Sequence, residues 1–265
     1  MEGLREIDGI LFGSSIILLS LVLYATYVNA IPILDVRVAD QLESIAYLVI
    51  VLTLVGLGVT ALGVRGLICV HKADPSQRTL AVIGQVLNDG KYRTVNSTIT
   101  LAYGLVFALV SGMIVYRPME NFSSEYLISI PSMIIAVCCG SPGFIPVITV
   151  YLTDHLGLLL VPADIVILAI VSGMVGLNVM LITYQYENRP PRASARWFLG
   201  VGVACGLFTG CPTCAGLLLS ASILSLSSST LILLSGLQPF LILATILVLG
   251  AGTVLTARTI PLNSE

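Results

Sequence analysis

Six cysteines hold most of the reactive chemistry of this chain, and four of them fall in two short Gly/Pro-rich breaks. The first is Cys138-Cys139-Gly140-Ser141-Pro142-Gly143, and the second is Gly210-Cys211-Pro212-Thr213-Cys214-Ala215-Gly216. Each interrupts a membrane-length apolar segment near its middle. In hydrocarbon every backbone N–H and C=O must be satisfied internally, so such a break survives only where protein buries it or where it lines a cavity. Two breaks that both carry thiols point to one composite site. In the second, Gly210 precedes an elbow and Pro212 suits a first helical position, which would put Cys211 at the N-cap and Cys214 one turn later on the same face. The positive end of a helix favours thiolate, the form that attacks disulfides and binds soft metals, whereas low dielectric opposes it. Cys138 and Cys139 are adjacent and would form only a strained disulfide with each other, so their partners are sought elsewhere. Cys69 and Cys205 read as small apolar packing residues.

The elements that must carry these thiols are set by composition. With 57% hydrophobic and 10% charged residues over 265 positions, the expected fold class is an all-α polytopic membrane protein. Taking about 20 apolar residues per crossing, clear spans are expected near residues 10–27, 45–64, 95–116, 157–184 and 231–256. Residues 127–153 and 197–226 contain the breaks and are expected as pairs of half-helices. Gly140, Pro142, Gly143 and Pro146 form the first elbow, and Gly210, Pro212 and Gly216 the second. The apolar stretch 79–87 is too short to cross and reads as interfacial. The division expected is residues 1–93, two spans with that interfacial stretch, and residues 94–265, a membrane core. Arg5 stands among Glu2, Glu6 and Asp8, which is no positive n-region, so the first apolar run reads as a retained helix.

The charge distribution bears on topology. With the N-terminus inside and both broken segments crossing, the 12 Lys and Arg residues divide six to six. If the first segment returns to the outer face, Arg189, Arg192 and Arg196 move inside. The count then becomes ten to two or nine to three, depending on the side of Arg258. The positive-inside rule favours this re-entrant hairpin and a cytoplasmic N-terminus in a prokaryotic-type plasma membrane. If both segments return, residues 127–184 and 197–256 form an inverted-topology repeat whose elbows meet near the midplane.

The run Ser141-Pro142-Gly143-Phe144-Ile145-Pro146-Val147-Ile148-Thr149-Val150-Tyr151-Leu152 resembles the first cysteine helix of the transmembrane thiol-disulfide electron carriers of cytochrome c biogenesis. Residues 206–219, around Pro212-Thr213-Cys214-Ala215-Gly216, are similar to that family's second cysteine helix. The resemblance covers about thirty residues and implies an exchanging cysteine pair, one thiol from each helix, passing reducing equivalents across the membrane. The family's first cysteine falls on Gly143, so its role would pass to Cys138 or Cys139; Cys214 falls near the second. The family's three-helix repeats are not matched, since one clear span separates the motifs here.

Other chemistry finds little support. His71 and His155 lie at span ends, away from the depth a haem requires. Arg65 and Asp164 are near span ends too, and Arg65 can snorkel. Asn178 and Gln238 suit hydrogen bonds between helices. The chain shows no nucleotide loop, zinc-finger spacing or Ser-His-Asp set, and no charge tract that would propose nucleic acid. The leading expectation is a thiol-disulfide relay of Cys138, Cys139, Cys211 and Cys214, without a cofactor, in the lipid bilayer. Its partners would be a thioredoxin-like donor or acceptor or other membrane subunits. The same cysteines, with Met113, Met119, Met133, Met174 and Met180, also fit a copper or small-solute transporter. A third reading is a noncatalytic accessory subunit.

Overall fold

Pro131 and Pro146 stand directly before two short runs rich in β-branched and apolar residues, and they decide how the middle of the chain folds. Proline lacks an N–H but is tolerated at the start of a strand. The computed structural model describes residues 2–30, 36–71, 78–119, 121–125, 127–136, 145–188 and 228–260. Its helices are α1 (Glu2–Ala30), α2 (Val36–Val70), α3 (Arg78–Asn88), α4 (Gly90–Val110), α5 (Phe122–Glu125), α6 (Pro162–Asn188) and α7 (Ser228–Thr259). Its strands are β1 (Ile114–Tyr116), β2 (Ser132–Ala136), β3 (Val147–Thr153) and β4 (Leu156–Leu160). Among the described residues, five helices are long and apolar enough to cross a membrane: Ile7–Tyr27, Glu43–Val70, Gly90–Val110, Pro162–Asn188 and Ile242–Thr259. The protein is a mostly helical, polytopic integral membrane protein.

The half-helices expected in residues 127–153 do not form there. The described residues of that segment instead make β2 and β3, part of an antiparallel sheet ordered β1-β4-β3-β2. Apolar runs of five to seven residues are ambiguous between strand and buried helix. The β-branched content of Val147-Ile148-Thr149-Val150 and the bounding prolines select the strand. Both outer strands, β1 and β2, have one unpaired edge within the sheet. Open edges are not tolerated facing lipid.

The chain forms two compact units. The first comprises Gly3–Val64 and Gly112–Val166, the second Arg65–Ser111 and Ile167–Glu265. In the first, α1 and α2 run antiparallel in close contact. A Cβ on Gly13 would lie 2.7 Å from both the Gly56 carbonyl oxygen and the Thr60 nitrogen, so only glycine permits this approach. Further along the same pair, Tyr24, Ala46 and Val49 form a buried cluster with Ile145, and Ile135 packs against it. The two ends of the hairpin thus rest on α1 and α2. At the opposite end of the sheet, the Phe122 N–H donates to the Asp154 carbonyl (2.9 Å) and the Arg117 N–H to the His155 carbonyl (2.9 Å). Ser123 Oγ also donates to the Asp154 carboxylate.

In the second unit α4 and α6 are antiparallel neighbours. Gly104 lies beside Ser172, Asn96 and Thr100 lie beside Gly176, and Lys91 Nζ meets Glu187 at 2.6 Å. Residue 111 and residue 167 therefore lie at the same end of this pair. In contrast, α6 and α7 are parallel. Met174 meets Gly250, Asn178 Nδ2 donates to the Leu249 carbonyl (3.1 Å) and Thr253 Oγ1 (2.9 Å), and Gln185 Nε2 donates to Thr259 Oγ1 (3.1 Å). An inverted repeat over residues 127–184 and 197–256 needs its two long spans to run in opposite directions. Parallel packing of α6 and α7 departs from that expectation: Asn188 and Ser228 lie at opposite ends of the pair. Helix α3 closes one end of the unit. Its Val82, Ile83 and Val86 are buried with Tyr92, Met180, Leu181, Ala257 and Ile260.

Candidate functional site

Of the residues singled out in the two breaks, Cys138, Cys139, Gly140, Pro142 and Gly143 lie outside the described residues. Gly210, Cys211, Pro212, Cys214 and Gly216 do so as well, as does Cys205. Pro146 is described and buried, immediately before β3. What the structure gives of the first site is its frame. Strands β2 and β3 pair from Ser132↔Tyr151 to Ala136↔Val147, so the connection bearing Cys138 and Cys139 begins one residue beyond the last pair.

The register of the next strand fixes which end of the sheet this is. Ile148 sits opposite Leu160, and β4 runs from Leu160 through Val161 directly into α6. The strand ends Ala136 and Val147 consequently lie at the same end of the sheet as the α6 helix start. The polar turn Asp154-His155 and the Arg117 backbone lie at the other end. Ile135 and Ile145 flank the connection, and both belong to the apolar cluster with Tyr24 of α1 and Ala46 and Val49 of α2. These three helix residues lie within the two membrane-length segments Ile7–Tyr27 and Glu43–Val70. Strand register and packing thus place the described residues on either side of the connection, Ile135 and Ile145, against α1 and α2.

The remaining chemically active residues have ordinary structural surroundings. Cys69 is a free, exposed thiol near the end of α2. His71 Nδ1 lies 3.0 Å from the Leu67 carbonyl, and the His155 N–H donates weakly to Thr153 Oγ1 at 3.4 Å. Among the described residues no three His, Cys, Asp or Glu side chains group as metal ligands. Asn178, expected to join helices, does so. It is buried and its amide donates to Met174, Leu249 and Thr253.

Sequence reasoning missed a second polar element. The side-chain oxygens of Asn96 and Thr100 are buried without a hydrogen-bond partner, turned toward Gly176. A Cβ placed on Gly176 would stand 2.1 Å from Thr100 Oγ1, 2.9 Å from Asn96 Oδ1 and 3.0 Å from the Asn96 carbonyl oxygen. That point itself cannot hold an ion, because it is one bond length from the Gly176 Cα. The glycine Cα–H faces them instead, a contact that recurs where helices approach closely. The spacing Asn96-x-x-x-Thr100, one helical turn on one face, is the signal that could have found it.

The fold defines a class: a mostly helical, polytopic membrane protein with five membrane-length helices among the described residues. Comparison with known proteins goes no further, since no family model, no curated protein and no solved structure matches the chain.

Proposed function

We propose that this protein is a thiol-disulfide relay of the membrane, carried by Cys211 and Cys214 with Cys138 or Cys139 as the exchanging partner. The observation that supports this reading most is the strand register, which sets Ala136 and Val147, the described strand ends on either side of Cys138 and Cys139, at the end of the sheet where α6 starts. A re-entrant segment between those strand ends would fit this placement. The antiparallel packing of α4 and α6 supports the same topology, since residues 112–161 begin and end at one end of that pair.

The chemistry is a balanced two-electron exchange. A thiolate of Cys211 or Cys214 attacks a disulfide sulfur, forms a mixed disulfide and expels the other sulfur as thiolate. The second thiol of the pair then resolves it, leaving one disulfide oxidised and one dithiol reduced. The electrons come from a soluble protein dithiol of the thioredoxin-like kind on one face and go to a protein disulfide on the other, or the reverse.

The test is thiol exchange by the purified full chain with a thioredoxin-like dithiol, followed by alkylation mass shift. Cys214→Ser should abolish exchange and Cys69→Ser should leave it intact. Exchange that survives Cys214→Ser would overturn the relay. Stoichiometric copper binding without exchange would replace it with soft-metal transport, and neither activity would favour an accessory subunit.

A further inference from the structure

The sequence holds no basic tract, yet the second unit gathers arginines from four separate segments at one end. Arg65 lies on α2 one turn before Ile68, which packs against the cluster of Val82, Ala257 and Ile260. Arg258 neighbours Ala257 of the same cluster. Arg78 opens α3 and donates from Nη2 to the Ile260 carbonyl at 3.3 Å. Arg93 follows the N-cap of α4 by one turn. All four are exposed.

Among the described residues, the acidic groups at this end are engaged elsewhere. Glu187 accepts two hydrogen bonds from Lys91 Nζ (2.6 and 2.8 Å) and one from the Tyr92 hydroxyl (2.5 Å). Asp89 accepts from the Lys91 N–H at 3.0 Å, capping α4. Among the described residues none of the four arginines is in an ion pair.

The level of this end relative to a bilayer is marked twice. The start of α4 at Gly90 and the ends of α6 at Asn188 and α7 at Thr259 coincide here, so membrane-length helices begin and stop together. Tyr92 and Tyr184 meet edge to face inside the protein with centroids 5.2 Å apart, and Tyr186, two residues after Tyr184, is exposed. Aromatic residues at helix ends mark the headgroup level. Guanidinium groups there meet phosphates, which they bind with paired, charge-assisted hydrogen bonds.

We propose that Arg65, Arg78, Arg93 and Arg258 form a collar that binds the headgroups of anionic phospholipids at this end of the second unit. Each arginine at such a surface strengthens anionic-lipid retention by about fivefold at low ionic strength. The collar uses none of the four cysteines assigned to the relay, and its test is independent of the relay.

The full chain, purified in neutral detergent with equimolar phosphatidylglycerol and phosphatidylcholine, is examined by native mass spectrometry. Wild type should retain phosphatidylglycerol preferentially, with the preference falling as salt rises. The triple variant R65Q/R93Q/R258Q should lose at least about tenfold of the preference. Arg117→Gln, in the other unit, should lose none. Arg78 is left in place because it also caps the end of α7. Should the triple variant unfold, the single variants Arg65→Gln and Arg258→Gln must each lower retention severalfold. Equal retention of both lipids by wild type, undiminished preference in the variants, or an equal loss in Arg117→Gln would overturn the collar. Inorganic phosphate should compete no better than its ionic strength predicts; full competition by it would identify a soluble anion in place of lipid and overturn the proposal.

Discussion

Replacing Gly176 by alanine tests the tightest helix contact of the second unit. Considered as a lone helix, the change should help, since alanine is favoured over glycine by about 1 kcal/mol in a helix interior. Packing opposes it. The new methyl would stand 2.1 Å from Thr100 Oγ1, a side-chain atom that can rotate away, and 3.0 Å from the Asn96 carbonyl oxygen, a backbone atom that can move only with α4. Overpacking costs about 1–3 kcal/mol, and the backbone contact puts this site at the upper end, so after the helix gain the net expectation is a loss of about 2 kcal/mol, about thirtyfold in the folded-to-unfolded ratio. Thr100→Ala removes the nearest atom and deletes a buried hydroxyl that lacks a partner. It should be close to neutral alone and should recover about half of the loss in the Gly176→Ala background, a coupling that a double-mutant cycle reads directly. Gly173→Ala is the control on the same helix, because no described atom lies within 4 Å of its new Cβ. It should be neutral or mildly stabilising. The assay is reversible unfolding in mixed micelles titrated with SDS and followed by far-UV circular dichroism. Gly176→Ala as stable as wild type, or strict additivity with Thr100→Ala, would refute the packing argument.

Two further outcomes follow from the helix pairs. Impermeant thiol labelling of single cysteines placed at Asn121 and His155 should react from one face and at Asn188 from the other, because α4 and α6 are antiparallel and the Phe122 N–H bonds the Asp154 carbonyl; reaction of Asn121 and His155 from opposite faces would sink the re-entrant hairpin. Asn178→Leu should cost about 1 kcal/mol through loss of the amide bonds to Leu249 and Thr253, and Asn178→Asp more, since a carboxylate would then face the Leu249 carbonyl. SDS unfolding of the two variants checks the order, and an aspartate milder than leucine would contradict the assigned donor.

The helical spans were legible because hydrocarbon imposes length and composition: residues 10–27, 45–64 and 157–184 fall within α1, α2 and α6 or across the last β4 residues and α6. Residues 127–153 were misread for a definite reason. Their total apolar length matches a crossing, yet Pro131 and Pro146 cut them into pieces of strand length, and periodicity cannot separate a short buried strand from a helix. The role of Asn178 could be anticipated from its chemistry, because a lone amide in an apolar span must find acceptors. The oxygens of Asn96 and Thr100 could not, since their burial depends on which glycine the neighbouring helix presents.

The direction of packing between α6 and α7 reaches furthest into the topology. Because Met174, Asn178 and Gln185 meet Gly250, Thr253 and Thr259 in the same order, Arg258 lies at the same end as Asn188. Of the two charge counts the sequence allowed for a returning first segment, ten to two and nine to three, this packing favours the first. Asn188 and Ser228 then lie at opposite ends of the α6–α7 pair, and Cys211 and Cys214 fall near the middle of the sequence between them. The proposed relay therefore does not depend on an inverted pair of hairpins.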